Sequence, residues 1–154
     1  TTFYADCVPV FLIDPVKKAI GLSHSGWRGT VGKISQQTIR RMEEEYGSCP
    51  ENLLAAIGPS ICQACYEVSQ DVAERFQESF SEKYWPELFY EKPDGKYQLN
   101  LWRANEILLQ EAGIPMEQIS VTDLCTCCNP EFLYSHRASC GQRGNLAAFL
   151  MIRS

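Results

Sequence analysis

Cys7 in ADCVPVFLID and His24 in AIGLSHSGWRG stand on two apolar runs separated by a turn. A thiolate and an imidazole are good ligands for zinc or copper. They are also the working pair of a cysteine hydrolase. A buried core cysteine beside an ordinary histidine is the third reading, and the two residues alone do not choose among them. Their neighbours add weight to chemistry. Asp6 places a carboxylate in an otherwise apolar run, which is costly unless it is paired or used. Trp27 and Arg28, bounded by Gly26 and Gly29, offer an apolar wall and a fork of donors for phosphate or carboxylate. A second group, Tyr134-Ser135-His136-Arg137 followed by Arg143, holds the second of the two histidines beside two arginines.

Eight cysteines form further groups, with a C-x-x-C pair at Cys62 and Cys65 and a C-x-C-C cluster at Cys125, Cys127 and Cys128. Two thiolate pairs can make a structural zinc site. Here roughly 60 residues separate them, against about 15–20 in a zinc ribbon, and the C-x-C-C spacing is foreign to that pattern. The sequence reading therefore favours reduced thiols over a four-cysteine site. A redox C-x-x-C lacks its usual strand-to-helix setting.

Elements must position these residues. Residues 3–13 read as one buried strand, with Pro9 marking an edge or a bulge. DPVKK reads as a hairpin loop leading to a second strand at 19–24. A helix is expected over 30–46, capped by Thr30 and stopped by Gly47. Strands follow at 53–57 and 66–68, then a helix at 69–80 starting from Ser69, an irregular aromatic stretch over 81–96 with a Pro93-Asp94-Gly95 turn, and a helix at 98–112 ending at Gly113. Strands are expected at 119–121, 131–136 and 146–152. There is no regular strand–helix alternation, which favours an α+β fold with irregular mixed sheets flanked by helices.

Composition bounds the partners. The chain has 154 residues, 45% hydrophobic and 21% charged, with a net charge of −5. That suits one domain and argues against a nucleic-acid or anionic-membrane face. No window holds the ~18 apolar residues of a membrane span, and no export signal opens the chain, so a cytoplasmic location is expected. The chain opens without Met, directly on a strand-like run, as expected of a fragment that lacks its N-terminal part.

These segments together resemble the laccase-domain, or multicopper polyphenol oxidase-type, family (YfiH/YlmD-like proteins). ADCVPVFLIDP is similar to its ADC motif, and SHSGWRGTV to its His-x-Gly-Trp-Arg-Gly motif. IGPSICQACYEV is similar to its Gly-Pro-x-Ile…Tyr-Glu-Val segment, and DLCTCCNPEFLYSHRASCGQRGNLAAFL to its C-terminal signature. The resemblance runs nearly end to end over residues 1–154. It departs at Gly141-Gln142-Arg143, where many relatives carry Thr-Gly-Arg.

The resemblance implies a YfiH-like fold related to toxin deamidases. It implies metal-dependent phosphorolysis of purine nucleosides and methylthioadenosine, and deamination of adenosine. It implies zinc, or copper, on Cys7 and His24 plus a histidine from an upstream segment that has no counterpart here. On this reading Arg28, with Arg137 or Arg143, holds phosphate against the ribose. Trp27 or Tyr66 stacks on the base, Glu67 assists, Asp6 orients a ligand or moves a proton, and His136 joins the catalytic group. Small-molecule nucleosides and phosphate are the expected partners. A Cys7–His24 hydrolase of deamidase type and a polyphenol oxidoreductase are the alternatives, the latter short of histidines for a multicopper cluster.

Overall fold

The computed structural model describes residues 1–153. Its centre is a four-stranded sheet in the order β3-β2-β4-β8. Strands β2 (Val8–Asp14) and β3 (Ala19–Ser25) form the hairpin that the turn residues predict. Asp14 fastens the turn, its Oδ1 accepting from the N–H groups of Val16 and Lys17 at 2.9 Å each, as an Asx turn does. On the other side β2 pairs antiparallel with β4 (Leu54–Ile57), which pairs parallel with β8 (Ile119–Val121).

The first run is not one strand. β1 (Thr2–Tyr4) leaves the central sheet and pairs with β9 (Leu146–Ala148). The break falls at Asp6, which has φ 76. A left-handed residue cannot continue a strand, and aspartate is among the few side chains that tolerate that region. Pro9 is not on an edge strand either, since β2 is flanked on both sides. Its carbonyl accepts from Gly58 N–H, and regular pairing with β4 stops one residue later, at Val10 opposite Ile57. The N–H that Pro9 lacks would face the Gly58 carbonyl, and the Ser60 hydroxyl donates to that carbonyl instead at 3.0 Å.

The predicted helix at 30–46 is two helices, α1 (Trp27–Val31) and α2 (Ile34–Tyr46). Thr30 is not a cap. It lies inside α1, fully buried, its hydroxyl bonded to Gly26 O and paired with Ser25 Oγ. Lys33, at φ 55, separates the helices, and Gly47, at φ 64, ends α2 as expected. Helix α3 (Gln70–Ser79) follows Ser69 and buries Val72 and Phe76, the latter stacked on Phe80.

The aromatic stretch is more ordered than the sequence suggests. It holds the short helix α4 (Trp85–Leu88) and strand β6 (Phe89–Glu91), which turns through Gly95 into β7 (Tyr97–Leu99). With β5 (Glu67–Val68) these make a three-stranded sheet, in the order β5-β7-β6. Helix α5 (Leu101–Glu111) is the spine of the core. Leu101, Ala104, Ile107, Leu108 and Leu109 are buried on it, and Asn100 caps it by accepting from Arg103 N–H at 3.0 Å. Residues 131–136 are turns rather than a strand, and the last strand is only three residues long. The architecture is α+β with several small sheets. Among the described residues no helix is long and apolar enough to cross a membrane.

Candidate active site

The break at Asp6 builds the site. By turning left-handed, the chain sends the Asp6 carboxylate inward, where it is 7% exposed. A buried carboxylate needs partners, and it finds them more than a hundred residues away. Its Oδ1 accepts from the Thr126 hydroxyl at 2.6 Å, and its Oδ2 from Arg137 N–H at 2.8 Å. The Asp6 carbonyl accepts from Ile61 N–H. One residue thus ties the start of the chain to the loop after β4, the loop after β8 and the C-terminal turns.

Arg137 continues from there. Its Nη2 donates to the Glu67 carbonyl at 2.7 Å, and its guanidinium lies 5.6 Å from the centre of the Tyr66 ring. Tyr66 stands where the site's charges meet. Burial, with the neighbouring Cys7 and Asp6, pushes its phenol up to about 12, against an opposing pull from Arg137 and Arg28. Cys7 is raised as well, by burial and by Asp6, with Arg143 pulling the other way. Asp6, Cys7, Tyr66 and the three arginines therefore form one electrostatic neighbourhood. Arg28 folds over Trp27, its Cζ 4.2 Å from the ring centre, a cation–π contact. Arg143 also bonds Gly144 O and Asn145 Oδ1.

Pro9 lies opposite His24 in the β2–β3 ladder, and Cys7 stands in the bend just before β2, beside Gly26, which follows the end of β3. The Cys7 sulfur packs against Gly26 so closely that a β-carbon there would sit 2.8 Å from it. His24 is exposed, with Nδ1 3.1 Å from Thr2 Oγ1 and its ring edge-on to Tyr4. A catalytic zinc takes three protein ligands and a water. Among the described residues no third histidine, cysteine or carboxylate joins Cys7 and His24 in a ligand group. The donor set present is one short of such a centre.

Glu67 and His136 stand apart. The Glu67 carboxylate is held by Lys92 and Lys96, which keep it at about 2, so the part of Glu67 that meets the cluster is its carbonyl. His136 is exposed, and among the described residues its side chain makes no hydrogen bond. Its carbonyl accepts from Gly141 N–H.

Three residues that support the site carry no mark in the sequence. Thr126 is fully buried beneath Asp6. Ser60 and Trp102 prop the loop after β4, with Trp102 Nε1 donating to Ser60 Oγ at 2.7 Å. No motif marks them; only the partner requirement of Asp6 pointed to something like Thr126. The cysteines overturn the spacing argument. Cys62, Cys65, Cys125 and Cys128 converge into a group able to hold a metal ion, their sulfurs all within 4.8 Å of one another. All eight cysteines are free. Burial pushes the thiols of Cys62 and Cys65 up. At Cys125 burial acts the same way but is outweighed by hydrogen bonds from the N–H groups and thiols of Cys62 and Cys128, and its thiol is lowered.

Known proteins are similar to this chain in sequence and in fold. The chain is 38% identical over 148 residues to Purine nucleoside phosphorylase YlmD of Bacillus subtilis (strain 168), covering 96% of this chain and 52% of that protein. It is 36% identical over 134 residues to Adenosine deaminase RL5 of an unknown prokaryotic organism, covering 86% of this chain and 50% of that protein. The crystal structure of Bacillus licheniformis hypothetical protein YfiH superposes with a TM-score of 0.88 at 36% identity, over 93% of this chain and 53% of that one. The chain spans about half the length of the curated relatives it matches. Residues 1–153 match the family described as multi-copper polyphenol oxidoreductase laccase, and the chain belongs to that family.

Proposed function

We propose that this chain carries the site of a purine nucleoside phosphorylase that also acts on methylthioadenosine and deaminates adenosine. The observation that carries the reading is Arg137, tied by its N–H to the buried Asp6 and lying with its guanidinium over Tyr66, with the charges of Arg28 felt at Tyr66 and of Arg143 at Cys7. Arginine forks suit phosphate, and the names of the relatives supply the nucleoside.

In phosphorolysis a phosphate oxygen bonds to the ribose C1′ as the C1′–N9 bond breaks. The electron pair leaves with the purine, which takes up a proton, and ribose 1-phosphate is the other product. Arg28 with Arg137 or Arg143 holds the phosphate in line and offsets its charge. Such positioning lowers the barrier by removing the entropy of encounter. Trp27 or Tyr66 forms the platform for the base. Asp6 is a positioning residue, since both carboxylate oxygens already accept hydrogen bonds, and it fixes the backbone of Arg137. His136 and the Glu67 carboxylate take no step in this scheme.

Cys7 and His24 provide two donors toward zinc, or copper. A bound metal there would supply Lewis acidity and a more acidic water for attack at the purine C6. Two donors fall short of the three protein ligands of a catalytic zinc. A cysteine hydrolase needs an activated thiolate, whereas burial and Asp6 push the Cys7 thiol up.

The test uses the full-length protein carrying this chain, purified with zinc and incubated with adenosine in the presence and absence of phosphate. Adenine and ribose 1-phosphate that appear only with phosphate support phosphorolysis, and inosine with ammonia supports deamination. Absence of all these products rejects the reading.

A further inference from the structure

Two short turns, 63 residues apart in sequence, bring the four sulfurs together. The first is Cys62-Gln63-Ala64-Cys65. A 3-10 turn folds it, closed by Cys65 N–H and Tyr66 N–H on the Cys62 carbonyl at 3.1 and 3.0 Å. The second is Cys125-Thr126-Cys127-Cys128. What reads as C-x-C-C in the sequence is a second C-x-x-C, for Cys127 stands outside the quartet and packs against the core. A parallel bridge between Ser60 and Cys125 aligns the two turns.

The geometry is that of a metal cage. Zinc–sulfur bonds of about 2.3 Å in a tetrahedron set sulfurs about 3.8 Å apart. The four sulfurs lie within 4.8 Å of each other, and the Cys65–Cys128 pair is at 3.5 Å. Cys62 N–H donates to Cys125 Sγ at 3.3 Å, a donor aimed at a sulfur where a thiolate needs one. Cys125 is buried, Cys62 and Cys65 are half-buried and Cys128 is exposed, so the group has a closed floor and an entry side. Four sulfur donors leave no open position, which marks a structural site rather than a catalytic one.

The two turns also carry the groups that hold the candidate active site. Thr126, between two of the cysteines, bonds Asp6. Tyr66 directly follows Cys65 and lies under Arg137. We propose that Cys62, Cys65, Cys125 and Cys128 bind one zinc ion in a closed tetrahedral tetrathiolate site, and that this ion clamps the loop before β5 to the loop after β8, fixing Tyr66 and Thr126. The site is separate from Cys7 and His24 and stands whether or not the phosphorylase reading holds.

The experiment uses the full-length protein, purified under reducing conditions without chelator, as three forms. These are the native sequence, Cys7→Ala/His24→Ala, and Cys62→Ser/Cys128→Ser. Zinc content is expected to fall by about one equivalent in the quartet variant, and the quartet zinc is expected to persist in Cys7→Ala/His24→Ala. Cobalt loaded into Cys7→Ala/His24→Ala, whose quartet is intact, is expected to give the intense ligand-field and sulfur-to-cobalt charge-transfer bands of a tetrathiolate. This arm decides the matter even if the quartet variant does not fold. Stripping metal from Cys7→Ala/His24→Ala is expected to lower Tm by on the order of 10 °C and to speed hydrogen exchange over 60–66 and 124–128. Three results overturn the site: no charge-transfer bands, iron in place of zinc, or a disulfide within the quartet of the protein as purified. Unchanged Tm and exchange after stripping overturn the clamp.

Discussion

Thr126 donates its hydroxyl to Asp6 across 120 residues of sequence, at 2.6 Å and in a fully buried setting. The bond joins the loop after β8 to the kink between β1 and β2. Thr126→Val keeps the shape and removes the donor, leaving a buried carboxylate oxygen without a partner. The expected loss is about 1.5–3 kcal/mol of stability, read as a lower denaturant midpoint at unchanged m-value. Thr126→Ser is expected to restore most of it. Equal stability in the valine and serine variants would show that the bond contributes nothing.

Arg137 meets the site twice, through its backbone N–H on Asp6 and through its guanidinium between Tyr66 and the Glu67 carbonyl. Arg137→Lys keeps the first and loses the planar fork. If the phosphorylase reading holds, KM for phosphate is expected to rise by on the order of 10-fold or more, with Tm little changed. A variant with native phosphate kinetics would remove Arg137 from anion binding.

Gly26 is needed for the absence of its side chain. A β-carbon there would lie 2.8 Å from Cys7 Sγ, so Gly26→Ala has to push the thiol or the β3 end aside. Overpacking of this kind costs about 1–3 kcal/mol. Calorimetry is expected to show the lower Tm, and bound metal is expected to fall if Cys7 is a ligand. Alanine at position 26 with native Tm and metal content would mean the contact relaxes freely.

Lys92 and Lys96 hold the Glu67 carboxylate at about 2, below its ordinary 4.5. A lowered folded-state value means that the pairing stabilises the fold above about pH 4.5, and that this contribution is lost as pH falls toward about 2. In Lys92→Ala/Lys96→Ala the Glu67 carboxyl is expected to titrate near 4.5 by NMR. Titration still near 2 would show that something other than the lysines holds it.

Much of this architecture is legible in the sequence because it is local. The Asp14-Pro15 turn, the amphipathic faces of α2, α3 and α5, and the stops at Gly47 and Gly113 depend on neighbours in the chain, and all are where periodicity and turn chemistry put them. What is not legible depends on partners far away. The kink at Asp6 is worthwhile only because Thr126 and Arg137 receive its carboxylate. The aromatic stretch becomes β6 and β7 because β5 lies alongside. The cysteine quartet looks too widely spaced until the loops after β4 and β8, which sit on adjacent parallel strands, are seen side by side. The candidate site shows the same division. Its arginines, Cys7 and His24 are visible as motifs, whereas Thr126, Ser60 and Trp102 are ordinary residues that matter only by position.

The pairing of β1 with β9 also fixes an order of events during synthesis. Within this chain β1 gains its partner only once residues 146–148 have been made, and the Asp6 carboxylate, needing Arg137 N–H, waits nearly as long. The hairpin of β2 and β3 can form early from local contacts, while the β1–β9 pairing comes only after β9 has been made. Long-range closure of this kind is slow, and until it happens β1 offers an open edge to other chains. A nascent chain halted before β9 would thus hold most of the core and the partners of Asp6, with β1 still unpaired.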